Sequence, residues 1–538
     1  MPRRLVRLAF AFAVLLTVSF PRFSWWAFAY VALFPLLDGI HQSKSRREAF
    51  TFSYLAGFLF FVFSLLWVRH VTFTGLLTFA FLDALVFGVF GMLVKNLFHI
   101  LDQEDGKKLK AVQVIILFFG IPSLWVVQEF IVVHLPVIGF GFNLLGHSQA
   151  ALLSVAQTAR IFGDYGLSFF CALFSSGLFL LVVNAEEENK GSLGWGQRIV
   201  IMVTFAAFAV TIFVYGNYRL AEPPSGDAVR ISAIQGNIPQ DEKWDQAIKP
   251  LVIEKYKKLS LLAKYDGPEL MVWPEAAWPG YLNTEFETAG FGAFVDELGI
   301  PMIIGSPHYE SESAVYNSAY LVEPGGIGIS DRYDKVNLVP FGEYVPFSAF
   351  FGLFGVEQYA RAMGISDFSF GTNSEKLFEF KSVIPAKAGI QLGPRLRGGD
   401  IKIHKFAVLI CFEDGFSDFA RRLAKRGAEF ILVITNDAWF MNSAAPYQHL
   451  NCSIMRAIEN GIYVVRAANT GISAFINPKG EVEDRVMNGE GHDIFVAGGI
   501  TRPIFVQTAS TPYLKFGFMF PFLCLFFLIP AFYPRFFI

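Results

Sequence analysis

Seven apolar stretches, at residues 5–20, 25–40, 50–68, 75–97, 111–133, 166–183 and 199–215, fill the first 220 positions, and an eighth lies at 514–532. Each is long enough, or nearly so, to cross a hydrocarbon layer of roughly 30 Å. Of the 538 residues 54% are hydrophobic and 61 are Phe, which is too apolar for a soluble enzyme of this length. Much of the chain is therefore expected to sit in lipid. Arg3, Arg4 and Arg7 precede the first stretch as they would in a signal peptide, but Phe20-Pro21-Arg22-Phe23 offers no small-x-small cleavage site, so a retained span is expected.

Charge sets the orientation. Arg3, Arg4, Arg7, Lys44, Arg46, Arg47, Lys107, Lys108, Lys110, Lys190 and Arg198 fall on one side, and the opposite short loops carry little more than Arg22 and Arg69. This asymmetry predicts cytoplasmic termini and places residues 217–511 outside, on the periplasmic face of the inner membrane in a Gram-negative cell. Net charge is −2 with no basic cluster beyond the juxtamembrane loops, which gives no support for nucleic-acid binding. Asp83 and Glu129 are isolated carboxylates within spans and suggest packing or interfacial roles rather than an ion path. The Gly-rich segment 134–150 is too short and broken to cross and is expected at the outer interface.

After Glu222-Pro223-Pro224-Ser225-Gly226, a linker, strand-like and helix-like runs alternate. Strands are predicted at 229–235, 270–273, 302–305, 377–380, 405–411, 430–435, 463–466 and 473–477, with helices at 246–264, 286–298, 416–426 and 446–460. Strands separated by helices of this length indicate an α/β domain. The domains are thus a seven-span segment at 1–217, an external α/β domain at 218–511 and a last span at 512–538. Residues 323–330, EPGGIGIS, open no helix and read as a hairpin turn rather than a phosphate loop. Residues 382–402, rich in Gly, Pro and basic side chains, break the rhythm and resemble an inserted palindromic repeat element; loop-closure entropy grows slowly enough with length to tolerate it on the surface.

Three stretches carry candidate chemistry. KFAVLICFED at 405–414 places Cys411 at the end of an apolar strand, MVWPEAAWP at 271–279 sets Glu275 beside an apolar run, and YDKVNLVPFGEYVP at 333–346 does the same for Lys335. Taken singly, Cys411 reads as a buried structural thiol, Glu275 as a solvated loop carboxylate and Lys335 as a snorkelling surface lysine. Together they make a nucleophile, a base and a cation that can hold an oxyanion. Cys171 and Cys524 lie in spans, and no CxxC or Cys/His ligand spacing exists, so neither a disulfide framework nor a zinc site is expected; Cys411 and Cys452 are expected as free thiols, Cys452 in a packing role. Ser306 and His308 lack an acid at a recognisable spacing.

These three stretches, with Asn436-Asp437-Ala438-Trp439 and Arg456-Ala457-Ile458-Glu459-Asn460-Gly461, resemble the nitrilase (carbon–nitrogen hydrolase) superfamily over about 229–500. With seven spans before and one after, the whole chain resembles the bacterial apolipoprotein N-acyltransferase family. The resemblance implies a multi-span α-helical membrane domain plus a nitrilase-like α-β-β-α sandwich, and a Glu275-Lys335-Cys411 triad. It also implies supporting roles for Glu343, Glu413 and Trp244. Phe412 stands where the family usually has Tyr, so a hydrogen bond from that hydroxyl is lost. The implied activity moves an acyl chain from a membrane phospholipid through a Cys411 thioester to the α-amine of a diacylglyceryl-modified apolipoprotein, with no cofactor. Two rivals stand beside it, a membrane-tethered amidase acting on small soluble amides, and a transporter or scaffold whose external domain only binds.

Two expectations are testable directly. Deleting 383–400 should leave activity, folding and membrane insertion intact; loss of activity in a folded, inserted deletion would contradict an inert insertion. Residues 347–359, FSAFFGLFGVEQY, are expected to form a mobile arm that dips into the outer leaflet and admits acyl chains. Replacing Phe350, Phe351 and Phe354 with Ser should impair turnover of long-chain phospholipid while sparing the fold, and unchanged turnover would remove the arm from the reaction.

Overall fold

The computed structural model describes residues 1–99, 109–136, 139–186, 193–286, 290–325, 328–344, 368–383 and 401–533. The aromatic arm at 347–359 and nearly all of the insertion at 382–402 lie outside them. The chain divides into two units, one of residues 1–222, 443–459 and 511–538, the other of residues 223–442 and 460–510.

The first unit is helical. It contains α1 (Arg3–Val18), α2 (Leu33–Gln42), α3 (Arg46–Ser64), α4 (Phe73–Phe98), α5 (Ala111–His134), α6 (Ala159–Glu186) and α7 (Trp195–Leu220). Local sequence starts two of them plainly: the Ser45 hydroxyl accepts from the Glu48 amide at the head of α3, and the Thr72 hydroxyl from the Gly75 amide at the head of α4. Glycine lets α3 and α4 approach closely. A Cβ on Gly91 would lie 2.8 Å from the Ala49 carbonyl, and one on Gly57 would strike the Phe87 ring. Phe12, Phe60, Phe87, Phe90 and Trp125 interlock by edge-on and tilted contacts at 5.6–6.4 Å, which is where part of the phenylalanine excess goes.

Among the described residues, five helices are long and apolar enough to cross a membrane: Phe73–Phe98, Ala111–His134, Ala159–Val182, Trp195–Leu220 and Pro512–Phe532. The apolar stretch at 25–40 divides into a 3₁₀ turn, Trp26–Tyr30, and the 10-residue α2, which at 1.5 Å per residue is only about 15 Å long. Asp83 is fully buried, and among the described residues neither of its carboxylate oxygens has a hydrogen-bond partner. Glu129 accepts from Trp125 Nε1 at 2.9 Å and from the Leu145 amide at 2.7 Å, so it ties the segment after α5 to that helix.

The second unit holds two six-stranded sheets, in orders β12-β1-β2-β3-β4-β5 and β11-β10-β9-β8-β7-β6. The strands are β1 (Asp227–Gln235), β2 (Leu270–Val272), β3 (Met302–Ser311), β4 (Ala314–Val322), β5 (Ile329–Asp334), β6 (Phe378–Val383), β7 (Ile401–Ile410), β8 (Phe430–Thr435), β9 (Tyr463–Ala468), β10 (Ala474–Ile476), β11 (Val482–Arg485) and β12 (Gly498–Val506). In each sheet three neighbouring strands run parallel, β1-β2-β3 and β7-β8-β9, and the remaining pairings are antiparallel. Parallel neighbours need crossovers. Helices α8 (Lys249–Lys264) and α9 (Phe291–Leu298) supply them in the first sheet and α10 (Ser417–Lys425) supplies one in the second. Tyr256, Trp273, Trp278, Phe291 and Phe294 form the core between α8, α9 and their sheet. The sheets meet where β1 and β12 touch β9 and where β4 touches β7. This is the expected α-β-β-α sandwich. β4 and β5 pair antiparallel on either side of the Gly-rich 323–330, the hairpin that sequence predicts.

The last crossover, between β8 and β9, is α11 (Ala445–Asn460), and most of it groups with the helical unit. There Gln448 accepts from Trp67 Nε1 at 2.9 Å and from Asn143 Nδ2 at 3.1 Å. Arg456 pairs with Asp164 at 2.7 Å and with Glu459 at 2.9 Å, all three fully buried or nearly so. The final helical stretch, α12 (Pro512–Phe532), packs on α5 and α6.

Candidate active site

Parallel strands leave their C-terminal ends pointing the same way, and α/β folds place reactive groups there. Glu275 follows β2, Cys411 follows β7 and Asn436 follows β8, while Lys335 follows β5. β7 is buried along its last five residues, then breaks into a 3₁₀ turn, Cys411–Gly415. The break is sharp, because Cys411 takes φ 52°, a left-handed conformation that L residues with a side chain seldom adopt. All four cysteines are buried and none is in a disulfide.

Glu275 is held from three sides. Oε1 accepts from Asn317 Nδ2 at 2.7 Å and from Lys335 Nζ at 3.5 Å, and Oε2 accepts from the Asn436 amide at 2.8 Å. Lys335, 1% exposed, donates to Glu343 Oε1 at 2.9 Å. Glu343 is fixed in turn by Asn317 Nδ2 at 2.7 Å and the Val339 amide at 2.7 Å. Burial alone would push the Lys335 ammonium towards its neutral form, but Glu343 and Glu275 outweigh it and hold its pKa above the usual lysine value. The thiol of Cys411, 8% exposed, goes the other way. Burial and the nearby Glu275 push its pKa well up, against the Lys335 charge and a Thr435 hydrogen bond that favour the thiolate.

Glu413 is a clamp. Its Oε1 accepts from Tyr333 Oη at 2.7 Å and from the Val336 and Asn337 amides at 2.8 and 3.1 Å, while Oε2 accepts from the Ile410 amide at 2.8 Å. One carboxylate thereby ties the segment carrying Lys335 to the strand end carrying Cys411. Burial pushes its pKa up to about 7, with the Ile410, Tyr333 and Asn337 donors and the Lys335 charge pulling back towards the ionised form. Behind it, Arg466 pairs with Asp414 at 3.0 Å and lies 3.7 Å from Asp437, all fully buried.

The structure therefore brings together Glu275, Lys335, Glu343, Cys411 and Glu413. Phe412 is buried with its ring edge-on to Phe416 at 5.1 Å. Trp244 stands 43% exposed and has no part in the hydrogen-bond network among the described residues. Its neighbour Lys243 is the buried one, and sequence gives no warning of that, since Asp241-Glu242-Lys243 reads as a solvated charge run. Asn317 is a second omission. Its only signal is a polar residue at the point where β4 turns from half-buried to buried.

A thiol, an acceptor-only carboxylate and a fixed ammonium form a set that can attack an acyl carbonyl, take up the thiol proton and stabilise the oxyanion. The apolipoprotein N-acyltransferase N-terminal domain matches residues 12–177, and the carbon-nitrogen hydrolase family matches residues 230–495. An apolipoprotein N-acyltransferase of Geobacter metallireducens is 32% identical over 91% of this chain and 89% of its own length. The chain belongs to the apolipoprotein N-acyltransferase family. A second member, from Rhodopseudomonas palustris, is 28% identical over 90% of this chain and 85% of its own. Among solved structures, a mutant of an amidase of the nitrilase superfamily from Nesterenkonia AN1 aligns with 54% of this chain and 95% of its own at 19% identity and a TM-score of 0.36.

One glycine tests the geometry without touching a reacting group. A Cβ on Gly305, in β3, would lie 2.4 Å from the Pro274 carbonyl and 2.6 Å from the Glu275 Cα. Gly305→Ala should displace the Glu275 loop and lower acyl-enzyme formation by about 100-fold, since small misplacements cost that much. The variant should still insert and fold, and near-normal acylation would show that the loop has slack.

Proposed function

We propose that this chain is a membrane-embedded N-acyltransferase of lipoprotein maturation that works by a ping-pong mechanism on the Glu275-Lys335-Cys411 triad. The observation that carries the reading is the meeting of these three side chains at strand ends, in a chain of this family with five bilayer-length helices among its described residues. In the first step Sγ of Cys411 attacks an ester carbonyl of a phospholipid. The S–C bond forms, the ester C–O bond breaks, and the thiol proton passes through Glu275 to the departing lysophospholipid oxygen. In the second step the α-amine of an N-terminal S-diacylglyceryl-cysteine attacks the thioester. The N–C bond forms, the S–C bond breaks, and the amine proton returns through Glu275 to the sulfur.

Lys335 stabilises the oxyanion of both tetrahedral intermediates, and Glu343 and Glu413 hold Lys335 and its segment in place. A lipid location fits the substrates, since donor and acceptor both keep their acyl chains in the bilayer. The loop charges support cytoplasmic termini and a catalytic unit on the periplasmic face of the bacterial inner membrane.

Purified protein given phospholipid with a labelled acyl chain and no acceptor should become labelled at Cys411 through a hydroxylamine-sensitive bond and release lysophospholipid. Cys411→Ala should stay unlabelled, and Lys335→Met should slow labelling by about 100- to 1000-fold, the usual cost of losing one oxyanion donor. A diacylglyceryl-cysteine peptide should discharge the label onto its amine. Hydrolysis of a small amide with indifference to both lipid and peptide would instead establish the tethered amidase, and acyl transfer with no trappable thioester would establish direct transfer.

A further inference from the structure

The turn that follows β8 is fixed at its base and apolar at its tip. At the base, Asn436 gives its amide to Glu275, and its side-chain oxygen accepts from Asn469 Nδ2 at 3.0 Å. Asp437, 1% exposed, accepts from the Thr435 hydroxyl at 3.2 Å. A 3₁₀ turn, Asp437–Phe440, then carries the chain outward. At its end Trp439 is 41% exposed and Met441 55%. Single exposed apolar side chains are ordinary, but these two stand within three residues of each other, and the main chain beneath one of them is strained. Met441 takes φ 53° and ψ −162°, a conformation open to glycine and seldom adopted by a residue with a Cβ. Packing inside the unit does not offset that strain, because more than half of the side chain stands free of it. In water the turn would be unfavourable twice over, in its backbone and in its exposed surface.

We infer that this turn, with Trp439 and Met441 at its tip, is an interfacial anchor that seats the α/β unit among the acyl chains at the bilayer surface. Two observations choose lipid as the occupant. From Ala438 to Met455 the chain carries no Asp, Glu, Lys or Arg, so no such charge has to be dehydrated when the tip enters the headgroup boundary. The chain also leaves the α/β unit at Asn442 and enters the helical unit at Ser443, and that unit holds helices of bilayer length. The side chains suit the place. An indole has an apolar body and one polar N–H, which is why tryptophan collects at membrane interfaces, and a flexible thioether fills irregular gaps between acyl chains. Because the same turn begins at Asn436, which holds Glu275, the depth at which the tip sits sets the height of that carboxylate above the lipid. The inference does not rest on the acyltransferase reading, since a tethered amidase could use the same anchor.

The test reads lipid contact directly and needs no turnover. In full-length protein carrying Cys411→Ala, the remaining cysteines, Cys171, Cys452 and Cys524, are buried, so a thiol introduced by Met441→Cys takes a bimane label selectively. Cysteine also keeps the Cβ that the turn already accommodates. The labelled protein is placed in nanodiscs of phosphatidylcholine and phosphatidylglycerol that carry a nitroxide on the acyl chain, either near the headgroup or near the chain end. The label at position 441 should emit to the blue of aqueous bimane, and it should lose about half its emission to the shallow nitroxide and less to the deep one, as a side chain ~5–10 Å below the surface would. A label introduced through Tyr265→Cys, at a site 90% exposed between Lys264 and Asp266 just beyond α8, should emit as in water and lose little to either. Trp439→Cys reads the same tip and decides the matter if Met441→Cys does not fold. A tip label that emits like the one at 265, equal quenching at both positions, or a blue-shifted tip label that neither nitroxide quenches, as contact with a protein would give, each overturns the inference. Acyltransferase failure is separate: a wild type that never forms a thioester, with the tip label quenched as expected, refutes the acyl-transfer reading alone.

Discussion

The site is built around the burial of one ammonium. Removing a lysine head group from water costs several kcal/mol unless opposite charge meets it, so Lys335 at the end of β5 demands carboxylates within reach. Glu343 answers at 2.9 Å and Glu275 at 3.5 Å, and the two carboxylates, which would repel each other, are bridged by the Asn317 amide at 2.7 Å to each. Three chain segments must therefore converge for any one of them to be stable there. Geometry follows from that requirement: the carboxylate that neutralises Lys335 is also the one whose other oxygen takes the Asn436 amide at the end of β8. The Glu275 carboxylate is thus set by both sheets at once.

A similar logic operates in the helical unit on different residues. Arg456 lies fully buried against Asp164 and Glu459, and Glu459 Oε1 accepts the Asp164 amide at 2.8 Å. Asp164 also meets His147 Nε2 at 3.3 Å. These contacts fix α11 among α6 and the turn Leu145–Ala151, although β8 and β9, the strands it joins, belong to the sandwich. Breaking one member would leave an uncompensated buried charge, worth about 3–5 kcal/mol, whereas an apolar replacement of the whole group could be neutral. The arrangement specifies where the crossover goes more than how stable it is.

What sequence made legible was local. An apolar run ending in Cys411 announces a buried strand and a side chain at its end, and the alternation of runs after residue 226 announces crossovers. The order of VWPEAAWP, YDKVNLVPFGEYVP and LICFED carried the site by resemblance. What sequence hid depends on side-chain direction in loops, which no periodicity reports. Lys243 and Trp244 are adjacent; the charged one is buried and the indole is exposed, the reverse of what hydropathy suggests. Asn317 was illegible for a related reason, since its value lies in two carboxylates 42 and 26 residues away. In the helical unit, hydropathy marks apolar stretches but not where they bend, so residues 25–40 look continuous and fold as a turn followed by a short helix.

The raised pKa of Cys411 bears on how such a thiol can be both reactive and durable. An exposed cysteine made nucleophilic by a low pKa is a standing thiolate and is oxidised as readily as it acylates. Here burial keeps the sulfur protonated at rest, and the groups that favour its ionisation, Lys335 and the Thr435 hydroxyl, are outweighed until the proton has somewhere to go. Glu275 accepts hydrogen bonds on both oxygens, and on the proposed mechanism it takes up that proton as a carbonyl approaches. On the proposed mechanism the same burial would also exclude water from the thioester, so that an acyl-enzyme could wait for a slower, membrane-bound amine. Low resting reactivity and, on that mechanism, a long-lived intermediate are then two results of one feature, the depth at which β7 ends.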